Sequence, residues 1–345
     1  MKKVTILHTG GTISSFVDYK TGGVSSKYTD EDILKLYPEI KNLANISSRL
    51  IKNIFSEDAD FNLYNLLAKE IEKEIKNNCN GIIITHGTDT LHYTSAALSF
   101  ILENLSIPVI LVGSQRSSDR GSSDATLNLI SAFNFINKTD FKGVAICMHE
   151  SMQDSSCLIL PATKTRKFHT SRRDAFKPIN IKPIARVENE KVDFINYHPE
   201  KISKKLQLKL FKPNLKIGIL KTHPNMSKEE IKNYSKFNGL IIEGTGLGHI
   251  PNILIPEIKK LAKKIPVVMT SQCIFGRINM NVYSTGRKLI EAGVLGNLAD
   301  MTAETAFIKL AWLLSNRNKK EIPALIAQDF RNEISKRTPT DFLEE

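Results

Sequence analysis

The chain has 345 residues, 41% hydrophobic and 24% charged, which suits two globular domains with sizeable cores and excludes wholesale disorder. No apolar run approaches the ~20 residues needed to span a membrane, and VTIL after Met1-Lys2-Lys3 is too short for a signal peptide, so a cytoplasmic protein is expected. The net charge of +12 has two readings: a lysine-, isoleucine- and asparagine-rich composition, or an anionic partner such as tRNA.

Strands and helices alternate from the start. Lys3–Leu7 reads as the first strand, and Phe16–Tyr28 as a polar, glycine-bearing loop long enough to be a lid. A short helix is predicted over Asp30–Tyr37 and a strand over Arg49–Phe55. Phe61–Ile75 has Leu63, Leu66, Leu67, Ile71 and Ile75 near helical spacing. Gly81–Thr85 is a short β-branched run, read as a buried strand, and a helical pattern begins at Leu91. Pro108–Val112 is the next strand. Asp124 or a neighbouring serine would cap a helix over Ala125–Phe135, and Gly143–Met148 is a further strand. This βαβ rhythm predicts an α/β fold with a mostly parallel sheet and helices on both faces.

From Ser156 to Val192 the pattern changes to short extended runs, and Asp193–Leu206 reads as a linker. A second βα series follows, with strands over Lys216–Leu220, Gly239–Glu243 and Pro266–Thr270. Its helices are placed at Lys228–Ser235, Pro256–Lys264, Arg287–Ala292 and Ala303–Leu314. Two domains are expected, 1–205 and a smaller 206–345.

Two turns carry candidate chemistry. Thr9-Gly10-Gly11-Thr12 follows the first strand. It is neither a GxGxxG fingerprint nor a P-loop. Its glycines let the backbone pass close to a small ligand, and its N–H groups could stabilise an oxyanion. Taken alone, TGGT favours Thr12 as a helix cap or turn residue over a nucleophile, because a hydroxyl needs a base. His86-Gly87-Thr88-Asp89-Thr90 follows the central strand, where ligands bind in open α/β sheets. A hydroxyl beside a carboxylate, paired with a lysine, would form a proton relay. Lys164 and Lys167 in TKTRKFHTSRRDAF are the available lysines, and that stretch alone also reads as a solvated basic loop. The four cysteines lack CxxC spacing; three lie in or beside apolar runs, which suits reduced core thiols, and Cys273 in TSQC is the candidate for a catalytic thiol. No HExxH zinc motif is present.

TGGTI together with HGTDT resembles the double signature of the bacterial-type L-asparaginase superfamily. HGTDTLHYTSAALSF, VGSQRSSDRGSSDATLNL, RKFHTSRRDAF, EGTGLGHIPN, TSQCIFGRINMNVYSTGR and ISKRTPTDF extend the resemblance over nearly the whole chain. These pieces are similar to one branch, the D subunit of archaeal glutamyl-tRNA(Gln) amidotransferase. The resemblance implies an asparaginase-like fold, with Thr12 as nucleophile supported by a lid tyrosine, Tyr19 or else Tyr28. It implies Thr88, Asp89 and Lys167 as the second triad, with Lys164 the alternative lysine. Ser56, Glu57 and Gly87 would bind substrate, Glu57 pairing with its ammonium, and the Gly11 and Thr88 backbones would hold the oxyanion.

The implied activity is glutamine hydrolysis that feeds ammonia to a transamidase/kinase partner subunit acting on Glu-tRNA(Gln). This chain would need no cofactor, while the partner would use ATP and Mg. The implied assembly is α2β2, with the D-type subunits paired and EGTGLGH (243–249) and TSQCIFGR (270–277) completing the neighbour's site. The branch usually carries a small β-domain ahead of the asparaginase-like part, whereas TGGTI here begins at Thr9. The alternatives are a stand-alone L-asparaginase and a non-catalytic tRNA-binding scaffold.

Overall fold

The computed structural model describes residues 1–14, 16–17, 24–25, 37–199 and 202–338. The expected lid, with Tyr19 and Tyr28, and the helix expected at Asp30 lie almost wholly outside the described residues. The chain forms two units. The first contains 1–178 and 182–208, and the second 179–181 and 209–345.

The first unit is built on an eight-stranded mixed sheet. Its strands are β1 (Lys3–Gly10), β2 (Asn45–Ile54), β3 (Gly81–Thr85), β4 (Pro108–Val112), β5 (Gly143–His149), β6 (Ser156–Pro161), and, further on, Ala185–Glu188 and Lys191–Phe194. The first five run parallel in the order β2-β1-β3-β4-β5. From β5 onward the pairing is antiparallel. The central strands are apolar throughout because both faces are covered. Helix α1 (Phe61–Lys76) begins at Asp60, whose carboxylate accepts the Leu63 N–H at 2.9 Å. Helix α2 (Leu91–Ile101) follows β3, and α3 (Ala125–Lys138) follows β4. Leu129, Phe133 and Ile136 of α3 pack with Val4, Ile6, Ile83 and Ile110 on one face. On the other face Thr5 of β1 donates to the buried Glu74 of α1 at 2.9 Å.

The strand order places a topological switch between β1 and β3. The chain leaves β1 toward β2 on one side and later returns as β3 on the other. The loops after two such strands diverge and leave a crevice at their carboxyl ends. Those loops are Thr9–Thr12 and His86–Thr90.

Asp124 precedes α3 but makes no capping bond. Its buried carboxylate instead accepts the Gln115 and Arg116 N–H groups at 3.0–3.1 Å, folding the preceding loop back on itself. Ser123 takes the Ala125 N–H at 3.3 Å. Cys79, Cys147 and Cys157 are buried thiols and Cys273 is an exposed one.

The second unit has a parallel three-stranded sheet, Ile217–Lys221, Gly239–Gly244 and Val267–Ser271. The helices Lys228–Lys232, Ile255–Ala262, Ser284–Glu291, α4 (Ala303–Asn316) and the short Ile322–Leu325 accompany it. Gln272 joins the expected EGTGLGH and TSQCIFGR segments, its N–H donating to Gly244 O at 2.9 Å and its amide to Glu243 O at 3.0 Å. Ile179–Ile181 belongs here because Asn180 exchanges hydrogen bonds with Gly276 at 2.9 and 3.0 Å. Among the described residues, no helix is long and apolar enough to cross a membrane.

Candidate active site

Three turns meet where the parallel strands end. The first leaves β1 through Gly10 and Gly11, both at positive φ (99° and 81°), and enters a short 3-10 turn at Thr12. The second is His86–Thr90. The third is Ser56–Asp58, after β2. A Cβ added to Gly11 would lie 2.4 Å from the Gly87 nitrogen, and one on Gly87 would lie 2.7 Å from the Ser56 Cβ. Only residues without side chains permit that approach. Polar bonds lock the turns together: Thr9 Oγ1 donates to Thr85 O at 2.9 Å, and Thr90 Oγ1 donates to Ser56 O.

Two buried histidines stiffen the strand ends without adding charge. His86 Nδ1 lies 2.8 Å from Gly87 O and its Nε2 lies 2.9 Å from Thr94 Oγ1. A carbonyl only accepts, so Nδ1 carries the proton. Burial pushes the His86 pKa down to about 4 against the smaller opposing pull of the Gly87 carbonyl. His8, between Thr85 and Ser48 at 2.7 and 2.9 Å, is pushed by burial to about 3.

The charge comes from a hairpin in the antiparallel half of the unit. Strands β7 (Thr165–Lys167) and β8 (Phe176–Pro178) pair, with Lys167 opposite Phe176. Lys167 Nζ donates to Thr88 Oγ1 at 2.8 Å and to Asp89 Oδ1 at 2.8 Å. Thr88 is buried, the Lys167 side chain is 9% exposed, and the Asp89 side chain is 69% exposed. One nearly dry amine therefore links a sequestered hydroxyl to a wet carboxylate. Lys164 is itself buried, in the turn after β6.

Ser56 is buried at the Gly87 contact and Glu57 is exposed beside it. The structure thus brings together the segments that carry Thr12, Thr88, Asp89, Lys167, Gly11, Gly87 and Ser56. Tyr19 lies outside the described residues. Sequence reasoning missed Tyr37 and Ser118. Ser118 Oγ donates to Ile13 O, one residue past Thr12, at 2.7 Å, and Tyr37 Oη lies 3.1 Å from that oxygen and also bonds Ser118. Nothing in the sequence separates these two from other polar loop residues. Arg173, expected on the basic surface, is instead buried and held by Asp154 at 2.8 Å. Among the described residues, no group of three or more His, Cys, Asp or Glu is placed to hold a metal ion.

Comparison with known proteins identifies the family. Residues 3–200 match the family "Asparaginase, N-terminal" and residues 216–325 match "Glutaminase/Asparaginase C-terminal domain", which defines an asparaginase-like protein. The "thermostable L-asparaginase from Thermococcus kodakarensis" superposes with a TM-score of 0.86 at 32% identity, covering 97% of this chain and 100% of that one. The L-asparaginase I of Vibrio cholerae gives 0.85 at 29% identity, covering 97% and 99%. Curated relatives are closer in sequence. The D subunit of the glutamyl-tRNA(Gln) amidotransferase of Methanobrevibacter smithii is 44% identical over 98% of this chain and 78% of its own length. That of Pyrococcus furiosus is 45% identical over 99% and 78%. The chain belongs to the family of glutamyl-tRNA(Gln) amidotransferase D subunits.

Proposed function

We propose that this chain is the ammonia-supplying glutaminase subunit of a glutamyl-tRNA(Gln) amidotransferase. The observation that carries the reading is the Lys167 ammonium, 2.8 Å from both Thr88 and Asp89, on the turn packed against the Thr12 turn. Thr12 Oγ1 attacks the side-chain amide carbon of glutamine. The oxyanion rests on the Gly11 and Thr88 N–H groups. The C–N bond breaks, the amide nitrogen leaves as ammonia with the threonine proton, and an acyl-threonine remains. Water then attacks the ester with Thr88, Lys167 and Asp89 relaying its proton, the ester C–O bond breaks, the proton returns to Thr12 Oγ1, and glutamate leaves. Ser56, Glu57 and Gly87 bind the α-carboxylate and α-ammonium end, and Tyr19 supports Thr12.

In this reading ammonia passes to a transamidase/kinase partner that uses ATP and Mg on Glu-tRNA(Gln). Two copies of this chain pair within an α2β2 assembly in the cytoplasm, and its asparaginase-like domains are 1–205 and 206–345. A second reading, a stand-alone L-asparaginase, is favoured by the full coverage of the Thermococcus kodakarensis enzyme.

Ammonia release separates the two. The purified chain is assayed with asparagine and with glutamine, and then with partner, ATP and Glu-tRNA(Gln). Glutamine turnover that rises only with partner and charged tRNA supports the amidotransferase reading. Rapid asparagine turnover by the chain alone, unchanged by the partner, establishes the asparaginase. Thr12→Ala should be inactive in either case.

A further inference from the structure

Between β4 and α3 the chain makes a loop, Gly113–Asp124. Its base is fixed by two buried side chains. Asn128 donates to Gly113 O at 3.0 Å, and Asp124 holds the Gln115 and Arg116 N–H groups. From this base the loop reaches in two directions. Ser118 Oγ donates to Ile13 O at 2.7 Å. At its far end, Ser122 O accepts from Arg173 Nη2 at 2.6 Å. Arg173 sits in the hairpin that carries Lys167. It also donates to Asp154 Oδ1 at 2.8 Å and Met152 O at 3.2 Å. One loop is therefore bonded both to the residue after Thr12 and to the turn joining the Lys167 strand to its partner.

Both attachments hold elements that cannot hold themselves. The Thr12 turn is a three-residue 3-10 helix, too short to be stable in isolation. The Lys167 hairpin has three-residue strands, and an isolated two-stranded hairpin is marginal. A displacement of about 1 Å at a reacting group costs on the order of a hundredfold in rate. We propose that Gly113–Asp124 is a tie-bar that sets the spacing of the two halves of the site, with Ser118 positioning Thr12 and Arg173 positioning Lys167. The proposal rests on Thr12 being the nucleophile and Lys167 serving Thr88.

The two ends act on different steps. Cutting the Ser118 end loosens the attack that forms the acyl-threonine. Cutting the Arg173 end loosens the water attack that breaks it. The test compares Ser118→Ala, Ser118→Thr, Arg173→Ala and the double variant Ser118→Ala/Arg173→Ala in the full chain, with whatever components give wild-type ammonia release.

Ser118→Ala should lower kcat/KM for the amide by about tenfold or more, and Ser118→Thr, which keeps the hydroxyl, should restore it. Arg173→Ala should lower kcat and KM together, with the acyl-enzyme accumulating in an intact-mass measurement. In kcat/KM the double variant should match Ser118→Ala, because the Arg173 end acts only after the acyl-threonine has formed.

Single variants within about twofold of wild type, or an Arg173→Ala variant that loses kcat/KM as Ser118→Ala does, would overturn the tie-bar. Thr12→Ala is the control: ammonia release by that variant would refute the nucleophile assignment and leave the loop geometry untouched. Should Arg173→Ala lose its cooperative melting transition, the Ser118→Ala and Ser118→Thr pair decides alone.

Discussion

Gly11 and Gly87 meet backbone to backbone, so closely that a methyl group on Gly11 would stand 2.4 Å from the Gly87 nitrogen. Each is followed directly by a hydroxyl residue, Thr12 and Thr88. The missing side chains bring the two threonine turns to one crevice. Gly11→Ala should therefore part the turns, and at φ 81° it also strains its own backbone. Ammonia release should fall by about two orders of magnitude or more. Thermal unfolding should show a loss of only about 1–3 kcal/mol, since the sheet is untouched. An active Gly11→Ala enzyme would mean that the two turns do not cooperate.

Lys167 donates to Thr88 and Asp89 from a nearly dry position. Lys167→Met keeps the aliphatic bulk and removes the donor. Turnover should fall by about 10²–10⁴ while the chain stays folded. If the relay serves water attack, a glutamyl adduct should build up on the variant and be visible by intact mass. Turnover close to wild type would remove Lys167 from the mechanism.

In the second unit, Lys309 of α4 and Glu333 form an ion pair at 2.7 Å with both side chains fully buried. Glu333 also accepts the Phe330 and Arg331 N–H groups, tying the last described turns to α4. Glu333→Ala removes the ion-pair partner of a buried ammonium and should cost about 3–5 kcal/mol in denaturant unfolding. Replacing both partners, as Lys309→Met with Glu333→Leu, should recover most of that loss. A double variant as weak as the single one would show that the backbone contacts of Glu333 dominate.

Acid should destabilise the first unit earlier than its carboxylates require. His8 and His86 are held neutral by burial, down to about 3 and about 4, whereas unfolded histidine protonates near 6.5. Below that pH the unfolded chain binds more protons, so stability falls as pH drops from about 6.5 toward 4. The limiting slope is about 1.4 kcal/mol per pH unit for each histidine. His149 runs the other way. Burial opposes its charge, but the neighbouring Cys157 and Asp154 outweigh that and raise its pKa. Its contribution is present at low pH and is lost as pH rises through the raised value. Urea midpoints from pH 7 to 5 test the balance, and a flat profile would contradict two neutral buried histidines.

The order of the elements was legible because β3 and β4 are unbroken apolar runs; their observed bounds, Gly81–Thr85 and Pro108–Val112, are those the sequence indicates. The start of β2 was hidden. It begins at Asn45, four residues before the expected Arg49, through an edge stretch, Asn45-Ile46-Ser47-Ser48, whose serines bond Thr5 and His8. Polar residues satisfied by a neighbouring strand leave no hydrophobic period to read. Asp124 looked like a helix cap but serves the loop behind it, since two backbone N–H groups lay within its reach. The Thr12 and Thr88 turns announce themselves by glycine and hydroxyl spacing. The Ile13, Tyr37 and Ser118 cluster does not, because it joins residues up to 105 positions apart.

Lys167 reaches Thr88 and Asp89 from a two-stranded sheet separate from the one that carries the threonine turns, with a consequence for the chain as it is synthesised. Thr12 and Thr88 sit on turns that follow the parallel strands β1 and β3, early in the chain. Lys167 enters only with the hairpin of β7 and β8, which ends at Pro178. A nascent or proteolysed chain that stops short of this hairpin carries both hydroxyls but not the amine that joins Thr88 to Asp89. On the mechanism proposed above it keeps the nucleophile and lacks the relay that frees it, so any acyl group it gains stays attached.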